Sequence, residues 1–223
     1  MLVGYLFGSI PNGILIGKIF YHSDPRTAGS KNSGGTNVAR LYGKKAGIIT
    51  IILDMIKVVI PLIAAWAVIK FSGLKDVLPL WDDGVFYIYL AALGACFGHC
   101  WPLYVKFKGG KTVAVYCGFA IATSYFVTIF GVIAFFTLFF WKKYVSLASI
   151  VTSIVGVVGA WTCTILGIFF DMNWTMWGFG SWVPMGWEFA SVLTVIAIIL
   201  IIRHIPNIQR LMNGTERKVG EHK

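Results

Sequence analysis

The chain has 223 residues, 57% of them hydrophobic and only 13% charged, with a formal net charge of +10. So little charge excludes an ordinary water-soluble domain of this length and points to a membrane protein. The positive excess comes with no recognition motif or sustained basic helix, so nucleic acid is not expected as a partner, and membrane topology is the better explanation of the charge.

Residues 1–20 form the first apolar segment, with Lys18 at its far end and neither a basic start nor a small-residue cleavage site, and they read as a retained span. Residues 30–37 follow as SKNSGGTN, eight residues without an aliphatic side chain. Glycines there let backbone N–H groups converge on an anion, while Ser, Thr and Asn add short donors and Arg40 adds a guanidinium fork suited to phosphate. A solvated turn between two spans is the plain alternative. A second span covers 47–70 and carries Asp54 and Lys57, three apart and so on one helix face. At that depth they are expected to pair with each other, shaping the bundle or fixing a loop.

The third span, 85–103, leads into KFKGGKT, whose Lys108 and Lys111 flank Gly109 and Gly110. This suits anions but is not a nucleotide P-loop, because Val105 stands where that motif needs glycine. His99 reads as a packed or hydrogen-bonded histidine. The apolar run 112–141 lies between two basic segments that belong on the same face, so it is expected to be a hairpin of two short spans turning at Thr123 and Ser124. Spans at 145–170 and 187–203 complete the set, and Pro206 is expected to break any helix continuing past Arg203.

Basic residues cluster at 18–45, 106–111, 142–143 and 203–223, and the positive-inside tendency places all four clusters in the cytoplasm. The loop with Asp76, Asp82 and Asp83 and the Lys- and Arg-free loop 171–187 then lie outside, with Trp81, Trp101, Trp141, Trp182 and Trp187 near the interfaces. The expectation is an all-α integral membrane protein of seven short transmembrane helices in a single domain over 1–223, its N-terminus outside and its C-terminus cytoplasmic. Cys96, Cys100, Cys117 and Cys163 lack metal-type spacing and read as small buried residues.

Several ordered motifs together resemble the acyl-phosphate:glycerol-3-phosphate acyltransferases of bacteria, the PlsY family: GSIPNG at 8–13, GSKNSGGTNVAR at 29–40, LDMIK at 53–57, GHCWPLYVKFKGGK at 98–111 and HIPNIQRLMNGTE at 204–216. The resemblance implies transfer of a fatty acyl group from acyl phosphate to the 1-hydroxyl of glycerol 3-phosphate, giving lysophosphatidic acid and phosphate. It also implies a multi-pass protein of the bacterial cytoplasmic membrane in contact with membrane lipids, with no cofactor. Substrate contacts carry over to Ser30, Arg40, Lys111 or Lys108, His204 and Asn207, with Asn32, Ser33, Gly34, Gly35, Thr36, Asn37, Gly109, Gly110 and Glu216 in the phosphate pocket. Four positions depart from the usual pattern: Lys31 and Thr112 where glycine is common, Gly35 where alanine is common, and Ile205 where arginine is common.

An acyl phosphate is already activated, so no covalent nucleophile is needed; positioning and neutralisation of phosphate charge suffice. Arg and Lys rather than a carboxylate cluster accompany the phosphate-type loops, so no metal is expected. The His-x4-Asp pair of soluble-type glycerolipid acyltransferases is missing: five positions after His22, His99 and His204 stand Thr27, Tyr104 and Gln209. The competing class, a transporter of a phosphorylated metabolite, would place polar broken helices near mid-membrane and show repeated halves, and no repeat is visible.

Overall fold

A computed structural model describes residues 1–74, 84–170 and 186–220. The expected acidic loop with Trp81 and most of the expected loop around Trp182 lie outside the described residues. All regular elements among the described residues are helical: α1 (Leu2–Gly8), α2 (Asn12–Tyr21), α3 (Gly35–Tyr42), α4 (Lys44–Phe71), α5 (Val85–Cys100), α6 (Val113–Thr123), α7 (Tyr125–Lys142), α8 (Val145–Phe170), α9 (Trp187–Arg203) and α10 (Ile205–Met212). Among the described residues, five stretches are long and apolar enough to cross a membrane, the first being α1 and α2 taken together. The pair α9 and α10, bent by 55°, makes a sixth, whereas α6 is shorter. The chain divides into two compact units, Met1–Phe119 and Ala120–Lys223.

In the first unit, α1 packs on α5 through glycines spaced four apart on both helices. A Cβ built at Gly4 or Gly8 would lie 2.0 or 2.2 Å from the carbonyl oxygens of Ala91 and Ala95, and one at Gly94 or Gly98 would lie 2.1 or 2.2 Å from those of Met1 and Tyr5. Backbones touch here because nothing larger than hydrogen stands between them, which is how helices associate where lipid removes the hydrophobic incentive. Gly118 on α6 does the same against Met55 of α4, where a Cβ would be 2.6 Å from the carbonyl oxygen.

The first span is not continuous. Pro11 has no N–H to donate and disfavours helical backbone at Ile10, so α1 stops at Gly8 and α2 starts at Asn12. The break is tied down by Ser9, whose hydroxyl donates to the Tyr5 carbonyl at 2.8 Å and accepts from the Leu103 N–H at 3.3 Å. Residues between the first and second spans also hold more order than a loop: α3 buries Val38 completely while its outer face stays polar.

The second unit is the α7–α8 hairpin with α9 and α10. Ser124 caps α7, its hydroxyl accepting the Val127 N–H at 3.3 Å, so the turn falls at Thr123 and Ser124 as expected. α8 meets α9 through Trp161, which donates to the Thr194 hydroxyl at 3.0 Å. The outer side of α7 exposes Phe130, Ile133, Phe136 and Phe140, a surface fitted to lipid. Pro206 sits in the first turn of α10, directly after the bend.

Candidate active site

Two polar loops of the first unit are clipped together by a residue that composition did not single out. Arg26, in the short 3-10 turn Pro25–Thr27, donates from Nη1 to the carbonyls of Val105 and Lys108 at 3.3 and 3.5 Å. Its other nitrogens grip Asp24, with Nη2 2.8 Å from Oδ2 and Nε 3.1 Å from Oδ1. The hydrogen bond from Arg26 is the main cause holding the Asp24 carboxyl below its ordinary value, against the opposing effect of burial. The sequence signal for this clip was the acid two residues before the arginine; its target, 79 residues away, had none.

The loop at 25–34 is shaped by Asn37. This side chain is 1% exposed and spends its whole amide on backbone. Oδ1 accepts the Ser30 N–H at 2.8 Å, while Nδ2 donates to the carbonyls of Pro25 (2.7 Å), Asn32 (2.9 Å) and Ala28 (3.2 Å). Asn32 turns its own Oδ1 to the Gly34 N–H at 2.8 Å. The loop ends on the N-terminus of α3, where Gly34 holds the cap position and supplies no side-chain cap. The Asn37 N–H bonds the Gly34 carbonyl at 3.0 Å, while the first two amides of a helix have no intrahelical acceptor, so an outside oxygen can take them, favoured by the helix dipole. Thr36 and Arg40, four apart and both exposed, share one face of α3. Ser30 is exposed beside them in sequence, and Ser33 is buried with its carbonyl packed against Gly13.

The second loop turns back onto the end of α5. Gly109 and Gly110 donate their N–H groups to the carbonyls of Cys100 and His99 at 3.2 and 3.0 Å. Gly110 lies flat on the His99 ring, where a Cβ would come within 2.0 Å of Nε2. These glycines allow close approach; what the loop presents outward is Lys108, exposed, and Lys111, half-buried.

The second unit holds a separate cluster at the α9–α10 bend. His204 is 3% exposed, and its Nδ1 lies 2.8 Å from the Leu200 carbonyl oxygen. A carbonyl only accepts, so Nδ1 donates in this bond. Glu216 gathers the rest: Oε1 accepts from Asn207 Nδ2 at 2.7 Å and from the Ser146 hydroxyl at 2.8 Å, and Oε2 accepts from Arg210 Nε at 2.7 Å. Burial alone would push this carboxyl up, but the bonds from Asn207, Ser146 and Arg210 outweigh it and hold it below its ordinary value. Ser146 was not read from the sequence, since its partner lies 70 residues away.

The sequence-read residues thus fall into two clusters, Ser30 to Arg40 with Lys108 to Lys111 in the first unit, and His204, Asn207 and Glu216 in the second. Asn37, Gly109, Gly110 and Glu216 direct the polar groups described above into the protein.

The profile described as glycerol-3-phosphate acyltransferase matches residues 1–214. The chain belongs to that family. It is 36% identical over 219 residues to the glycerol-3-phosphate acyltransferase of Macrococcus caseolyticus, covering 98% of this chain and 95% of the relative. The Staphylococcus haemolyticus enzyme of that name is 33% identical over 220 residues, covering 98% and 96%. Among solved structures, the integral membrane glycerol 3-phosphate acyltransferase PlsY in its glycerol 3-phosphate form matches with a TM-score of 0.77 at 31% identity, over 97% of this chain and 92% of that one. Its lysophosphatidic acid form matches with a TM-score of 0.75 at 31% identity, over 98% and 92%.

Against the family pattern, the two positions where this chain replaces a common glycine are both left-handed: Lys31 has φ 54° and Thr112 has φ 70°. Glycine takes that conformation without strain and other residues do not. Thr112 is fully buried, and its hydroxyl lies 2.7 Å from Cys100 Sγ, a contact glycine lacks. Gly35, where alanine is common, has Ile51 and the Gly47 carbonyl within 2.4 and 2.7 Å of a built Cβ, so in this chain the neighbours have taken the methyl group's place.

Proposed function

We propose that this protein transfers a fatty acyl group from acyl phosphate to the 1-hydroxyl of glycerol 3-phosphate, releasing lysophosphatidic acid and phosphate. The observation that carries the reading is the first unit's pair of loops: an uncapped helix N-terminus with Thr36 and Arg40 on one face, clipped by Arg26 to a loop that presents Lys108 and Lys111. Such a surface offers backbone amides and three cations to phosphate groups, the shared feature of donor and acceptor.

Within this reading, Ser30, Arg40 and Lys111 contact the substrates, assisted by the 32–37 segment and Lys108, and no covalent acyl-enzyme forms. The carbonyl carbon of the acyl phosphate gains a bond to the glycerol oxygen and loses its bond to the phosphate oxygen. A phosphate oxygen of the donor takes the hydroxyl proton, so the leaving group departs as inorganic phosphate. His204 orients glycerol 3-phosphate beside Asn207. All four basic clusters face the cytoplasm of a bacterial cell, seven segments cross the membrane with the N-terminus outside, and the two units work as one catalytic domain.

Purified protein given acyl phosphate and glycerol 3-phosphate should yield lysophosphatidic acid and phosphate in equal amounts. Product formed from acyl-CoA with no turnover of acyl phosphate would overturn the donor assignment, and substrate movement across vesicles without product would favour a transporter. His204→Ala should lower the rate across the pH range; loss of a single limb of the pH–rate profile would instead make His204 the general base.

A further inference from the structure

Asp54 lies about 15 Å along α4 from its cytoplasmic-loop end, ten residues at 1.5 Å each, with its side chain only 4% exposed. Its Oδ1 accepts from Asn12 Nδ2 at 3.0 Å and from Lys57 Nζ at 3.0 Å, and His99 Nδ1 stands 3.9 Å away. A buried ion pair is a costly way to pack helices, because apolar side chains fill the same space without desolvating charge. Elsewhere in this unit α1 meets α5, and α6 meets α4, through glycine. The contacts of the three partners show what the cluster holds instead.

Lys57 also donates to the Ile10 carbonyl at 3.1 Å, at the helix break before Pro11. Asn12 opens α2 beside Gly13, where a Cβ would sit 1.9 Å from the Ser33 carbonyl oxygen. His99 lies under Gly110 and accepts its N–H at the backbone carbonyl. Asn12, Asp54, Lys57 and His99 line one small, partly open pocket whose wall also includes Ser33 and Gly109. The undersides of both phosphate-type loops therefore rest on groups that converge on a single carboxylate.

We propose that Asp54 is a positioning residue for acyl transfer. Through Asn12 and Lys57 it fixes the break that supports the Ser33 loop, and the His99 ring, 3.9 Å from its carboxylate, lies beneath the Gly109–Gly110 turn that leads to Lys111. The inference rests on the acyltransferase reading for its kinetics but not for its geometry. A displacement on the order of 1 Å between reacting groups is worth roughly 100-fold in rate, so kcat should fall more than KM rises.

The test uses Asp54→Asn together with the double variant Asp54→Asn/Lys57→Met, which removes the unpaired ammonium left by the single change. In detergent or nanodiscs the double variant should match the wild-type melting temperature yet show kcat lower by roughly 10- to 100-fold, with KM changed far less. It should also be cut faster by trypsin at Lys31 and Lys108. A double variant with wild-type kcat and wild-type cleavage rates would overturn the proposal and leave the pair as packing alone. Cleavage needs no turnover, so a wild-type protein that made no lysophosphatidic acid would sink the acyltransferase reading while the cleavage rates still decided the role of Asp54.

Discussion

Asn37→Asp changes one atom of a side chain that holds a loop by four hydrogen bonds. The oxygen accepting the Ser30 N–H can remain, but the nitrogen that faces the carbonyls of Pro25, Ala28 and Asn32 becomes an oxygen. The site is 1% exposed, so water cannot replace the lost donors. Each lost hydrogen bond is worth about 0.5–1.5 kcal/mol, and each buried acceptor left without a donor costs about 1–3 kcal/mol. With one proton able to return as the carboxylic acid, the net local loss is roughly 3–4 kcal/mol. At 1.4 kcal/mol per decade, the open loop should be populated roughly 100- to 1,000-fold more than in the wild type.

Arg26 and Lys31 lie inside this loop, which makes trypsin a direct reporter of its opening. Cleavage tracks the equilibrium population of the open form when opening and closing are fast compared with cutting. The Asp variant should therefore be cut faster at both residues, and KM for glycerol 3-phosphate should rise in parallel. Wild-type cleavage with a raised KM would show that Asn37 touches the substrate rather than bracing the loop. Wild-type values for both would refute the reasoning.

Lys31→Gly should stabilise the same loop, since a left-handed backbone costs a non-glycine residue roughly 1 kcal/mol; slower cleavage at Arg26 is the readout. Gly98→Val should be severely disruptive, on the order of 4 kcal/mol or more, because its Cβ would meet the Tyr5 carbonyl oxygen at 2.2 Å and the Ser9 nitrogen at 2.7 Å; the solubilised protein should lose its monodisperse elution. Gly159→Ala, with nothing within 4 Å, should elute and melt as the wild type does. Glu216, held below its ordinary value, contributes stability that is complete above the unfolded carboxyl value and is lost as pH falls through the folded one. Glu216→Gln should thus melt lower than wild type at neutral pH by about 1–2 kcal/mol, after discount for the partly exposed Arg210, and the difference should vanish on acidification.

Five or six of the seven expected spans were legible because mean hydropathy carries that information directly, and the turns at Ser124 and Pro206 because a capping serine and a proline act locally. The break at Pro11 was carried by the same kind of residue but hidden by the apolar average around it. Helix α3 was hidden in the opposite way: Val38, Leu41 and Tyr42 mark an inner face in GTNVARLY, but the polar neighbours dominate any window. Site residue types could be read from SKNSGGTN and KGGK, whereas their division of labour could not. Asn37 is as suitable for a phosphate as Asn32, and only the 1% exposure and the four backbone contacts show where its amide is committed. Arg26, Asn12 and Ser146 escaped because their partners lie 79, 42 and 70 residues away.

That division of labour bears on how a loop rich in glycine and asparagine can serve catalysis at all. Fixing a flexible residue costs about 1–2 kcal/mol of backbone entropy, and a loop ordered only by substrate would draw this from binding. Here Asn37, Asn32, Arg26 and the Asp54 cluster order the loops within the folded chain, with buried polar groups directed inward. Under the proposed function, the groups presented outward, Thr36, Arg40 and Lys108, are then already placed to meet phosphate charge. For a donor as activated as an acyl phosphate, placement is most of what a catalyst must add. The scaffold residues are for that reason as sensitive a test of the mechanism as the residues that would touch the substrate.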